Sequence, residues 1–165
     1  MNTGRTWRHL VAHLHPAARL LDGAALARIE AEIKAAELTH AGEIRIAVET
    51  SLSPAQLWHE LTPRARALQL FSALGVWDTA GNNGVLIYIL LADRSVEFVA
   101  DRAIAQRIPE AEWDSLCREV EARFRAGEPA EGCCQAVRGV ARQLARHFPS
   151  AGGDGDELPN QPVLL

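Results

Sequence analysis

The chain has no excess of positive charge, no apolar run of membrane-spanning length and no paired cysteine motif. Each absence removes a class of function. Its 165 residues carry 17 Lys and Arg against 21 Asp and Glu, a formal net charge of −4, so no broad nucleic-acid surface is expected. The longest strongly apolar stretch, Val85 to Ala92, falls far short of the roughly 20 residues that cross a bilayer, and no direct membrane span is expected. The opening residues place Arg5, Arg8, His9, His13 and His15 where a signal peptide needs an apolar core, so the expectation is a cytoplasmic chain. Cys117, Cys133 and Cys134 are an odd number and form no C-x-x-C pair, which argues against a disulfide framework and a zinc ribbon. They read as small residues on helices. G-x-S-x-G, a Walker loop, H-E-x-x-H and a G-x-G-x-x-G after a strand are all missing, so nucleophilic catalysis has little support. His9 and His13 stand at helical spacing but have no evident third ligand for zinc.

What is present reads as one α/β domain, 48% hydrophobic and 23% charged. Residues 1–15 are expected to form an N-terminal arm, 16–149 the domain and 150–165 a flexible tail. Leu20 to Ala36 has helical period, with Asp22 as its cap and Leu21 and Leu26 as a staple. Ile44, Ile46 and Val48 alternate with polar or small residues and predict a strand. Ser53, Pro54 and Gln56 form one helix-start signal and Thr62-Pro63 a second, so residues 54–74 are a kinked helix or two in tandem. Two β-like runs follow, Val85–Leu91 and Ser95–Ala100, joined by a tight turn at Ala92-Asp93-Arg94. Pro109 then opens a helix with the stripe Trp113, Leu116, Cys117, Val120 and Phe124. The last helix aligns Cys133, Val137, Val140, Leu144 and Phe148, and shows Arg138, Arg142 and Arg146 on another face, read as solvated.

Helix, strand, helix, strand, strand, helix, helix predicts a small mixed sheet with helices on both faces. The crossover makes the first two strands parallel, and the hairpin makes the third antiparallel. On that topology Glu43, Asp78, Asn82, Asn83 and Asp101 converge at one end of the sheet, with Glu49, Thr50 and Asp93 at the other. Carboxylate and amide oxygens on loops over a rigid sheet are the donor set of a hard cation, Ca²⁺ or Mg²⁺. The same residues in "DTAGNNG" equally fit turn geometry alone, because Asp, Asn and Gly bond their own backbones. His40 is the histidine nearest this cluster. In the tail, Asp154, Asp156 and Glu157 lack the rest of an EF-hand pattern.

"AGEIRIAVE", a helix ending in "LFSALGVWDTAGNNGVLIYILLADRSVEFVADRAI", a "W…C…F" helix and a last helix ending in "HFP" together resemble the TPM domain family. That family includes thylakoid-lumen acid phosphatase-like proteins, a photosystem II repair factor and many bacterial proteins. The resemblance runs over about residues 15 to 149 and is most specific in "NNGVLIYILLADRSVEFVADR". It implies a three-layer α/β/α sandwich with a small mixed β-sheet, and a divalent cation held at the positions of Glu43, Asp78, Asn83 and Asp101. It also implies weak phosphatase activity, attributed to plant members, and a protein partner such as a LemA-type membrane protein. The chain looks like a soluble short form. The preferred expectation is a cation-binding module acting through protein contacts in the maintenance of membrane-associated assemblies, with a metal-assisted phosphomonoesterase as the alternative.

Overall fold

The computed structural model describes residues 3–12, 17–150 and 157–165. In chain order the elements are α1 (Thr3–Ala12), α2 (Ala17–Leu20), α3 (Gly23–Glu37), β1 (Glu43–Glu49), α4 (Pro54–Trp58), α5 (Pro63–Ala73), β2 (Gly84–Leu90), β3 (Ser95–Ala100), α6 (Arg102–Ala105), α7 (Glu110–Arg125), α8 (Pro129–His147) and β4 (Val163–Leu164). The local start signals form as their chemistry requires. Asp22 accepts the Ala25 N–H, Ser53 and Gln56 close a reciprocal capping box, and Thr62 accepts the Ala65 N–H. Two full caps so close together make residues 54–74 two helices rather than one kinked helix.

The sheet runs β3-β2-β1-β4, with β1 parallel to β2 and β2 antiparallel to β3. Alternation along the strands separates two cores. Ile44, Ile46, Val48, Ile87 and Phe98 face α3, α7 and α8, whereas Ala47, Leu86, Tyr88 and Leu90 face α5 and Leu158 of the tail. Helices therefore cover both faces of a small mixed sheet, and the architecture is a three-layer α/β/α sandwich. All of β2 is buried, which explains its unbroken apolar run: a strand covered on both faces has no solvent side to mark with polar residues. Arg138 on α8 reaches Glu32 at 2.9 Å and also meets Glu131, so it ties α8 to α3. Arg142 and Arg146 are exposed.

The tail departs from the expectation of a flexible segment over residues 157–165. β4 lies parallel to β1, pairing Ala47 with Val163 and Val48 with Leu164. The Arg45 guanidinium donates to the carbonyls of Pro159 and Gln161, and Leu158 is buried. The physical reason is that β1 would otherwise present an unpaired edge, and the tail supplies backbone partners for it. His13, His15, Asp154 and Asp156 lie outside the described residues.

Candidate functional site

The predicted loop end is built around Gly84. Register places Glu43 beside Gly84, and the Asp101 N–H donates to the Gly84 carbonyl at 2.9 Å. Asn83 stands one residue before Gly84, where its carbonyl accepts the Glu43 N–H at 3.2 Å. The Asn82 carbonyl accepts from Ala103 N–H at 3.3 Å. Glu43, Asn82, Asn83 and Asp101 are thus brought to one corner through backbone bonds. Asp78 sits farther out on the loop, exposed, with its N–H on the Gly75 carbonyl.

Turn chemistry accounts for part of this arrangement. Asn82 adopts φ 49°, the left-handed region that asparagine tolerates. The Thr79 hydroxyl accepts the Asn83 N–H at 3.1 Å, and Asp101 caps α6 through the Arg102 N–H. What turn chemistry leaves over is oxygen. The Asn83 amide donates to the Ala41 carbonyl, but buried Asn83 Oδ1 and enclosed Asp101 Oδ2 have no hydrogen-bond partner among the described residues. Buried polar atoms are nearly always paired, so both oxygens are open to a donor, a water or a cation. Glu43 is committed in part, since one of its oxygens accepts the Leu158 N–H at 3.2 Å.

Among the described residues no three His, Cys, Asp or Glu side chains stand close enough to hold a metal ion. The oxygens at the corner are carboxamide and carboxylate, a kind of donor that hard cations take and that suits neither zinc nor other soft-ligand metals. In that fit Asn83 and Asp101 contribute the oxygens without donors, and Glu43 stands adjacent. Glu157, in the tail, accepts the Ala80 N–H at 3.1 Å on the same loop.

The cysteines stand in surroundings that make poor nucleophiles of them. Burial pushes the thiols of Cys117 and Cys133 up to about 12, and a thiol at that value carries almost no thiolate at neutral pH.

The opposite end of the sheet holds a network that sequence reading placed there only as Glu49 and Asp93. Glu49 is buried and accepts from Arg66 Nε and Nη2, both at 2.9 Å, and from the Tyr88 hydroxyl at 2.6 Å. Asp93 receives Arg5 at 2.7 Å and faces His9 Nε2 at 3.1 Å. Burial alone would raise the Asp93 carboxyl, but the bonds from Arg5 and His9 hold it below its usual value. His9 Nδ1 accepts the Leu52 N–H at 2.9 Å. The partners Arg66 and Arg5 come from separate helices, and nothing in local spacing marks them.

His9 and His40 predict a pH dependence. The Leu52 N–H occupies Nδ1 of His9 and the Gly42 N–H occupies Nδ1 of His40 at 3.3 Å, so each ring is neutral in the fold. Burial, the largest cause, lowers both below the ordinary 6.5. A lowered histidine means that the unfolded chain binds protons the native chain refuses. Stability is then full above the ordinary value and falls as pH drops below it. Urea midpoints should decline between about pH 7 and about pH 5, and His9→Gln with His40→Gln should flatten that decline, because glutamine keeps an acceptor without titrating. An unchanged slope in the double variant would assign the decline to other groups.

A family model described as the TPM domain matches residues 16–143. Among solved structures, the chain is similar to the BA42 protein from the psychrophilic bacterium Bizionia argentinensis. The two are 27% identical, the match covers 87% of this chain and 94% of that one, and the TM-score is 0.76. The N-terminal domain of a protein from P. gingivalis shares the fold at 23% identity, with 79% and 82% of the two chains covered and a TM-score of 0.59. No curated protein matches the chain.

Proposed function

The chain belongs to the TPM domain family, and from that premise we propose that it is a divalent-cation-binding module, taking Ca²⁺ before Mg²⁺ and acting through protein contacts in the cytoplasm. The observation that carries this reading is the pair of acceptors without donors, Asn83 Oδ1 and Asp101 Oδ2, at the corner where β1, β2 and β3 meet their loops. Ca²⁺ is preferred because it accepts amide and carbonyl oxygens in flexible geometry, whereas Mg²⁺ demands a tight octahedron and keeps its waters. When bound, the ion supplies positive charge to oxygens that the protein leaves unpaired, and so tightens the 78–83 loop against the sheet. Asn83 and Asp101 would hold it, with Glu43, Asn82 and Asp78 nearest in the fold or on the loop.

The protein contact would fall on that loop. Trp77 is 53% exposed beside Asp78, and an exposed indole is a common anchor at interfaces. A LemA-type membrane protein is the partner to test first. Among the described residues no helix is long and apolar enough to cross a membrane, so on this reading an association with membrane assemblies would come through the partner. The phosphomonoesterase alternative draws on the same oxygens and on no further observation.

The test is the melting temperature of chelator-treated protein with and without Ca²⁺, Mg²⁺ or Mn²⁺. A ligand at a hundred times its Kd adds about 2.7 kcal/mol, a readable shift for a domain of this size. Asp101→Asn keeps a competent helix cap, because Asn and Asp cap almost equally well, but removes the charge. The Ca²⁺ shift should shrink or vanish in that variant while the melting temperature without ion stays nearly constant. No shift with any ion, or a shift that Asp101→Asn leaves intact, would sink the proposal.

A further inference from the structure

A cavity of about 690 Å³ opens at the other end of the sheet, beyond the carboxyl end of β1. Its position follows from topology. The chain leaves β1 through α4 and α5 on one face to reach β2, whereas β4, on the other side of β1, is reached after α8 on the opposite face. In open α/β sheets the crevice outside the carboxyl ends of strands, where connections diverge in this way, is where ligands lodge. The volume lies in the range of small-molecule sites. Leu10 of α1, together with Leu52, Pro54, Leu57 and Trp58, forms the apolar lining.

The polar lining around the α4 capping box and Arg66 leaves donors over rather than acceptors. Acceptors on four of its residues are engaged: Glu49 by Arg66 and Tyr88, His9 Nδ1 by the Leu52 N–H, Gln56 Oε1 by the Ser53 N–H and Ser53 Oγ by the Gln56 N–H. Its donors are not. Gln56 Nε2 and Trp58 Nε1 have no partner among the described residues, and Arg66 Nη1 meets only Gln69 Oε1, at 3.5 Å. The capping box itself creates the asymmetry, because it consumes the carbonyl oxygen of Gln56 and leaves the amide nitrogen over. Trp58 is 72% exposed at this cavity, where its ring offers a flat apolar wall.

We propose that this cavity binds a small amphiphilic anion: an apolar body against Leu10, Leu57 and Trp58, with a carboxylate head on the donors of Gln56 and Arg66. A cation is disfavoured because no carboxylate there is left to receive it. The site is separate from the Gly84 corner and does not depend on an ion being bound there.

Decanoate is the probe, with decyltrimethylammonium as its equal-length cationic counterpart, both below their micelle concentrations. In isotope-labelled protein, decanoate should saturably shift the amide resonances of Ser51 to Trp58 and change Trp58 fluorescence, and the cation should do neither at the same concentrations. Trp58→Ala should weaken decanoate binding. Gln56→Glu is the decisive variant, because glutamate at this position maintains the capping box while replacing the spare donor with negative charge. It should leave the melting temperature unchanged and weaken decanoate by about tenfold or more. Equal binding of anion and cation, shifts centred elsewhere on the chain, indifference to Gln56→Glu, or no saturable shift would each overturn the proposal. So would a concentration-dependent dimer that protects these same amides, since the groove would then be an interface between copies.

Discussion

Arg66→Ala should destabilise the protein by about 3–5 kcal/mol in urea unfolding at neutral pH, the cost of leaving a buried charge without its partner. Glu49 has 7% side-chain exposure and takes two of its hydrogen bonds from Arg66. Removing the guanidinium leaves that carboxylate facing only the Tyr88 hydroxyl. The same contacts act in reverse on tyrosine: burial first, then the bond to Glu49, drives the Tyr88 hydroxyl far above its ordinary 10, so Tyr88 donates to Glu49 at neutral pH. Glu49→Gln in the Arg66→Ala background separates charge from shape, because glutamine still accepts from Tyr88 but carries no charge to strand. That double variant should recover half or more of the loss. If Arg66→Ala costs under about 1 kcal/mol, the pair behaves as a surface ion pair and Glu49 is wetter than its burial indicates.

The network was half legible in the sequence, and the reason applies to the candidate sites as well. Ser53-Pro54-x-Gln56 and Thr62-Pro63 state their structures locally, because a cap is satisfied within three residues of itself. The parallel pairing of β1 with β2 followed from the length of the crossover, and the antiparallel hairpin from the turn at Asp93. Arg66 and Glu49, in contrast, meet because α5 packs on one face of the sheet, and no spacing rule joins residue 49 to residue 66. The tail is the extreme case. Glu43 reads as a cation ligand from the amino end of β1, yet one of its oxygens is occupied by the N–H of Leu158, 115 residues away. Val163-Leu164 is too short to announce itself as a strand and becomes one only because the edge of β1 needs partners. At the Gly84 corner, topology placed Asn83 and Asp101 together, while the split between oxygens used in turns and oxygens left over depends on Thr79 and Ala41, which the pattern "DTAGNNG" does not distinguish.

Gly84→Ala should cost about 2–3 kcal/mol or more, as overpacking against an unyielding neighbour does, and should abolish any response to Ca²⁺ as well. A Cβ at residue 84 would stand 2.1 Å from the Val76 carbonyl oxygen. That neighbour is backbone and cannot rotate away, so the segment entering the 78–83 loop must move. Gly139 provides the control. A Cβ there meets Leu116 Cδ1 at 2.2 Å, equally close, but the far end of a side chain can change rotamer, and Gly139→Ala should cost about 1 kcal/mol less than Gly84→Ala or better. Gly139 lies in α8, far along the chain from the loop, and its substitution should leave the Ca²⁺ response intact. The pair therefore separates two meanings of lost binding. Loss in Gly84→Ala alone ties the ion to the corner where Glu43, Asn83 and Asp101 converge, because that corner's register is set by the close approach of Val76 and by the Gly84 carbonyl receiving Asp101. Loss in both variants would make it a consequence of general destabilisation. Near-wild-type stability of Gly84→Ala would mean that the Val76 segment yields without cost, and the corner would lose its standing as a rigid site.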